Sequence, residues 1–143
     1  MKNFVKKTCL SVFFLSQTAV TAIANTNDSS ATFDWSSVIE AIIQVESGGN
    51  ARAVSGSSVG AMQITPILVK ECNNILKSRK SNKRFTMNDR YDVEKSKEMF
   101  LLIQSQYNKT NNVEKAIRSW NGGIHYRIKS TNGYYRKVMR HLK

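Results

Sequence analysis

Apolar residues recur along this chain at intervals of three and four, the spacing of one face of an α-helix, in five separate stretches. The first predicts a helix capped by Asp34 and carrying Trp35, Val38, Ile39, Ile42, Ile43 and Val45, with Gly48-Gly49 as its stop. Residues 50–64, rich in Ser, Gly and Val, read as a loop or short β-ribbon. Thr65-Pro66, an N-cap followed by proline at the first helical position, opens a second helix through Leu68, Val69, Cys72, Ile75 and Leu76. Lys77 to Arg84 reads as a charged, poorly ordered connection with five basic residues. Asp92 caps a third helix bearing Val93, Met99, Phe100, Leu102, Ile103 and Tyr107; its apolar positions spread around the circumference, which predicts the central, most buried helix. Asn111 with Glu114 resembles a capping box for a fourth, through Val113, Ala116, Ile117 and Trp120 to Asn121-Gly122-Gly123. The last runs from about Asn132, with Tyr135, Val138, Met139 and Leu142 as its stripe.

The first 24 residues stand apart. Lys2, Lys6 and Lys7 precede an interrupted apolar run, and Ala22-Ile-Ala24 supplies a small-x-small cleavage site, the layout of a secretory signal. Ser11, Ser16, Gln17 and Thr18 break the run below what spans a bilayer, so no stable membrane insertion is expected after cleavage. The expected organisation is a signal over residues 1–24, a flexible leader over 25–33 and one compact domain over 34–143, exported to the periplasm or secreted. Lys6-Lys-Thr8 before Cys9 does not fit a lipoprotein anchor. Cleavage leaves Cys72 as the only cysteine, at an apolar helix position, so no intramolecular disulfide can form. His125 and His141 lack partners at metal-ligand spacing, and no metal or organic cofactor is implied.

The formal net charge is +12, and loss of the three signal lysines lowers it by three. An exported protein this basic meets an anionic surface such as cell-wall polymer, lipid head groups or nucleic acid. The Lys77–Arg84 run has no interleaved stacking aromatic apart from Phe85, and export argues against nucleic acid.

Against this background one carboxylate stands out. Glu46 follows Ile42 by four residues and Ile43 by three, on their apolar face, at the point where the helix gives way to a glycine-rich loop. Apolar neighbours and the negative end of the helix dipole both disfavour its charged form. A carboxyl kept partly protonated near neutral pH can hand a proton to a leaving oxygen. The same position also suits an ordinary helix-end glutamate.

Four segments in order narrow the choice: Glu46-Ser-Gly-Gly-Asn50, Gly60-Ala-Met-Gln63, Ser119-Trp-Asn-Gly-Gly123 and Gly133-Tyr-Tyr-Arg-Lys-Val138. Together they resemble the soluble lytic transglycosylase family, with its Glu-Ser, Gly-Leu-Met-Gln, Ala-Tyr-Asn and late-tyrosine pattern, from about Trp35 to the end. The resemblance implies an α+β lysozyme-like fold, predominantly helical, with one small β or irregular element near the catalytic loop. It makes Glu46 the catalytic acid/base and Ser47 a local support. Ser55 would help orient the glutamate, Met62 and Gln63 would line the sugar-binding cleft, and Asn121 would hold the N-acetyl group. For the late tyrosine, Tyr135 lies on the apolar stripe and Tyr134 lies off it, which makes Tyr134 the cleft residue, hydrogen-bonding Glu46. Ala61 stands where the family has leucine, a loss of bulk expected to widen the pocket, and Trp120 replaces a tyrosine, keeping the ring without its hydroxyl. The loop between Glu46 and Gln63 is also about one residue shorter than is usual.

Most glycosidases flank the bond with two carboxylates. Of the other candidates here, Asp92 is explained as a helix cap, Glu71 lies on a polar helix face and Asp89 in a charged loop. A single acid suffices when the substrate supplies its own nucleophiles. The resemblance implies this route: cleavage of the MurNAc-β-1,4-GlcNAc bond of peptidoglycan glycan strands with a 1,6-anhydromuramoyl product. A hydrolytic lysozyme on the same scaffold, or a non-catalytic cationic wall-binding or secretion-assembly protein, are the alternatives. Similar domains serve secretion, conjugation or phage assemblies, and a monomer is expected.

Overall fold

A computed structural model describes residues 33–142. The signal over 1–24, Cys9 and all of the leader except Phe33 lie outside the described residues. Five helices and one ribbon follow in the order α1 (Ser36–Ser47), β1 (Val54–Ser55), β2 (Ser58–Val59), α2 (Pro66–Ser78), a 3-10 helix (Asn88–Tyr91), α3 (Val93–Tyr107), α4 (Val113–Gly122) and α5 (Ile128–His141). The two strands pair antiparallel, Val54 with Val59 and Ser55 with Ser58, across a two-residue turn whose Gly56 supplies φ +58. Residues 50–64 are thus the short ribbon that their composition suggests.

The core assembles on α1 rather than on α3. Val38, Ile39, Ala41, Ile42 and Ile43 of α1 are all buried, and α4 and α5 pack against this helix. Helix α3 packs against α2 and buries Met99, Phe100 and Ile103 but leaves Leu101 43 % exposed. The reason is geometric: five consecutive apolar residues, Met99 to Ile103, must turn some of their number outward in a 3.6-residue helix. Its N-terminal half is polar, and Lys97 bridges Glu40 of α1 (3.1 Å) and Glu94 (3.2 Å). An aromatic row crosses the core: Phe33 on Trp35, Trp35 on Phe100, Phe100 on Trp120, with ring centroids 4.6–5.7 Å apart. Phe33, assigned to the leader from sequence, is therefore packed against the domain.

Three helices, α2, α3 and α4, begin at side-chain caps. Thr65 and Asp92 accept the backbone N–H groups of Leu68 and Lys95, as N-caps do. Asp34 accepts from Ser36 N at 2.9 Å, one residue ahead of the first helical turn. The cap of α4 is Asn112 rather than Asn111, which sits at φ +51; Glu114 is drawn instead to Arg118 at 2.7 Å. Helix α5 starts four residues earlier than its composition suggested. Arg118, buried between α4 and α5, donates to the Ile128 carbonyl, Thr131 Oγ1 and Asn132 Oδ1, and stacks its guanidinium 4.3 Å from the Tyr135 ring centroid. Those bonds secure the first turn of α5. Met139, expected in the core, is 40 % exposed.

The basic connection after α2 is not loose. Lys77 and Ser78 belong to the helix, Ser81 N donates to Leu76 O, and Phe85 is clamped by Asn73, which accepts from its N–H at 2.8 Å and donates to its carbonyl at 2.9 Å. Phe85 is buried and so presents no stacking face to solvent.

Candidate active site

Helix α1 carries Glu46 in its final turn, just beyond the buried Ile42 and Ile43, and Gly48 at φ +61 ends the helix immediately after it. The side chain emerges at the rim of the core into a cleft of about 250 Å³ lined by Glu46, Ser55, Gln63, Leu68, Trp120 and Asn121, among others. Four elements therefore converge: the end of α1, the ribbon, the start of α2 and the end of α4.

From the far side α5 contributes Tyr134, whose hydroxyl donates to Glu46 Oε1 at 2.7 Å. These two residues are 88 positions apart in sequence, and their contact fastens α5 across the end of α1. Burial is the larger influence on Glu46 and raises its pKa; the Tyr134 bond favours the carboxylate and pulls the other way. Tyr134 itself is pushed far up, by burial and by the neighbouring Glu46, so it stays a proton donor in this pair at any working pH.

The loop facing Glu46 is held by backbone geometry. Ser47 Oγ donates to the Ala61 carbonyl at 2.8 Å, tying the helix end to the loop. Gln63 sits at φ +50, and its amide nitrogen donates to the Gly60 carbonyl at 2.9 Å. The Gln63 amide nitrogen is thus occupied within the loop, leaving its carbonyl oxygen as the group to face a ligand. Gly60 itself is required, because a Cβ there would lie 1.8 Å from the Arg90 carbonyl oxygen.

The predicted site residues divide accordingly. Glu46, Ser55, Gln63, Trp120 and Asn121 line one cleft, and Tyr134 reaches Glu46. Ser55 is on the wall but does not bond Glu46, whose side-chain hydrogen-bond partner is Tyr134. Met62 is a correction: it is wholly buried beneath the loop, packs in the core and cannot touch a sugar directly. Ala61 is likewise 1 % exposed, so the missing leucine bulk does not widen the cleft. Trp120 rests on Phe100, which fixes the plane of its ring at the cleft wall. Two structural contributors escaped the sequence reading, Arg90 under Gly60 and the buried Arg118 that anchors α5. For Arg118 the Glu114–Arg118 spacing of four was the available signal.

No second carboxylate lines the cleft around Glu46 among the described residues. Asp92 caps α3, and Asp89 accepts from Thr86 N at 2.6 Å on the far side of the loop. Cys72 is buried, and burial, then the neighbouring Glu71, push its thiol up to about 12, too high for a nucleophile. Among the described residues no group of three His, Cys, Asp or Glu side chains is placed to hold a metal ion.

The sequence profile of the transglycosylase SLT domain matches residues 24–141. That span includes every residue of the cleft and all five helices. No curated protein is significantly similar to the chain.

Proposed function

The chain belongs to the transglycosylase SLT domain family, of the lysozyme-like superfamily and of peptidoglycan-cleaving, lytic transglycosylase type, and from that premise we propose a non-hydrolytic cleavage in which Glu46 is the only acid/base. The observation that carries this reading is the setting of Glu46: a pKa raised by burial, a hydroxyl donor at 2.7 Å, and a cleft without a second carboxylate among its described lining residues.

In the proposed reaction the protonated Glu46 gives its proton to the glycosidic oxygen between MurNAc and GlcNAc, and the C1–O4 bond breaks. The N-acetyl oxygen of the muramic sugar shields the positive charge growing at C1, with Asn121 holding that acetamido group. Glu46, now a carboxylate, takes the proton from the C6 hydroxyl as O6 bonds to C1. One bond is lost, one is gained, the proton returns to Glu46, and a 1,6-anhydromuramoyl end results without water. Tyr134 keeps its proton throughout and holds the carboxyl in line, while Ser55 and the Gln63 carbonyl border the sugar path.

Electrostatics supports a wall polymer as the substrate. After Glu114 the sequence contains no Asp or Glu, and Arg127, Lys129, Arg136, Lys137 and Arg140 are exposed on or beside α5. Such a face concentrates an anionic polymer near the cleft, and its effect weakens as salt rises. We place this activity outside the cytoplasm, by way of the signal-like residues 1–24, in a protein acting as a monomer, alone or within a secretion, conjugation or phage assembly.

Purified protein incubated with isolated peptidoglycan should release soluble glycan fragments; binding without release would make it a wall-binding protein instead. The pH profile tests the Glu46–Tyr134 pair. Tyr134→Phe removes a hydrogen bond that favours the carboxylate, so the Glu46 pKa rises further. The basic limb of kcat/KM, where the acid loses its proton, should move to higher pH, with kcat down about tenfold. A limb that stays put or moves to lower pH would show that this bond does not tune the acid.

A further inference from the structure

Beside the Glu46 cleft lies a second depression of about 420 Å³, and the two share Thr65, Leu68, Trp120 and Asn121 as common walls. The depression therefore adjoins the Glu46 cleft across these four residues. Its character is set in two respects. Ile67, on the first turn of α2, is 79 % exposed, and Ile124, between α4 and α5, is 47 % exposed; both open onto the depression. Apolar area left in water at a concave site marks a surface that gains by being covered.

The second respect is charge. Among the described residues Glu71 is the only charged side chain on the lining, in a chain with 22 Lys and Arg. Its Oε1 accepts from the Tyr107 hydroxyl of α3, which fixes the carboxylate in place. Its Oε2 has only Asn74 Nδ2 at 3.5 Å, the outer limit of a hydrogen bond, and is left to receive a donor. A fixed carboxylate with a free oxygen, no ion-pair partner among the described residues and aliphatic side chains around it selects an ammonium group carried on an apolar chain.

Resting on the lytic reading above, we infer that this depression binds the peptide arm of the wall strand, with Glu71 receiving the free ammonium of its diamino acid and Ile67 and Ile124 covering apolar side chains. The cleft holds the sugar backbone from which that arm branches, and the shared walls bring the arm to the depression. An arm whose amine is already cross-linked has no ammonium to offer, so the enzyme prefers wall that is not cross-linked at the point of cutting.

The test compares three substrates with the full chain: peptidoglycan with free amines, the same material with its amines acetylated, and glycan strands stripped of peptide by an amidase. The unmodified protein should show a KM about fivefold lower for the free-amine wall than for the acetylated one, with kcat within twofold. Glu71→Gln should abolish that difference while cutting stripped strands at the original rate. Equal KM for the free-amine and acetylated walls would overturn the site while leaving the lytic function standing. A loss of kcat on stripped strands in Glu71→Gln would also overturn it, by assigning Glu71 to the fold or the chemistry. If the unmodified protein cuts none of the three, the lytic reading falls and this one with it. The acetylation arm needs no variant, so misfolding of Glu71→Gln cannot obscure the answer.

Discussion

Glu46→Gln is expected to lose cleavage by about 10³-fold or more and, at neutral pH, to melt at a higher temperature than the unchanged protein. The first effect follows from the two proton transfers assigned to one group, each step of this kind being worth about 10²–10⁴. The second follows from linkage. Burial, the dominant cause, lifts the folded-state pKa of Glu46 above its unfolded value, so the folded chain holds this proton more tightly. The stability so gained is complete below the unfolded carboxyl pKa and is lost as pH rises through the folded value. An ionised Glu46 therefore weighs against the fold, and the neutral, nearly isosteric Gln removes that penalty while still accepting from Tyr134. Melting curves at pH 7 and pH 4 check the sign: the advantage of Gln should shrink at the lower pH. A variant that melts lower at pH 7, or that keeps cleavage within tenfold, would contradict this placement of Glu46.

Gly60→Ala is expected to cost about 2–5 kcal/mol, combining a left-handed backbone with a steric clash. Gly60 has φ +80, and its Cβ would meet the Arg90 carbonyl oxygen at 1.8 Å, a main-chain atom that cannot rotate away. Arg90 also ties the ribbon to the 3-10 helix through Ser57 O (3.0 Å) and Ile64 O (3.3 Å), so displacing it loosens the loop that carries Gln63. Thermal melting should fall by on the order of 10 °C. Gly133→Ala gives the contrast. Gly133 is exposed within α5 and a Cβ there meets nothing within 4 Å, so alanine should stabilise by about 0.5–1 kcal/mol through helix propensity alone. Equal effects of the two substitutions would show that the Gly60–Arg90 contact is not what holds the loop.

The contrast between Gly60 and Gly133 also shows what one-dimensional patterns convey. Helix existence was legible because burial on one face leaves a 3.6-residue period, and the caps at Thr65 and Asp92 were legible because they depend on neighbours in sequence. The convergence of Glu46, Gln63 and Asn121 was legible only through ordered motifs, and the choice of Tyr134 over Tyr135 through the phase of one helix. What stayed hidden depends on contacts remote in sequence. The start of α5 rests on Arg118, and the necessity of Gly60 rests on Arg90. Met62, bracketed by cleft motifs, is buried together with Ala61 and Ile64, and Gln63, at φ +50, is the residue of this stretch that reaches the cleft wall. Glu71 read as a solvated helix residue because nothing in its neighbourhood along the chain announces Tyr107 or the depression they share.

That Glu46 acts alone, with the substrate's own C6 hydroxyl in place of water, is tested most directly by mass spectrometry of peptidoglycan digested in ¹⁸O-labelled water. The expected products are muropeptides that end in 1,6-anhydromuramic acid, lighter by one water than their reducing counterparts and free of label. Reducing-end fragments carrying ¹⁸O, with no anhydro form, would contradict it and make the enzyme a hydrolase.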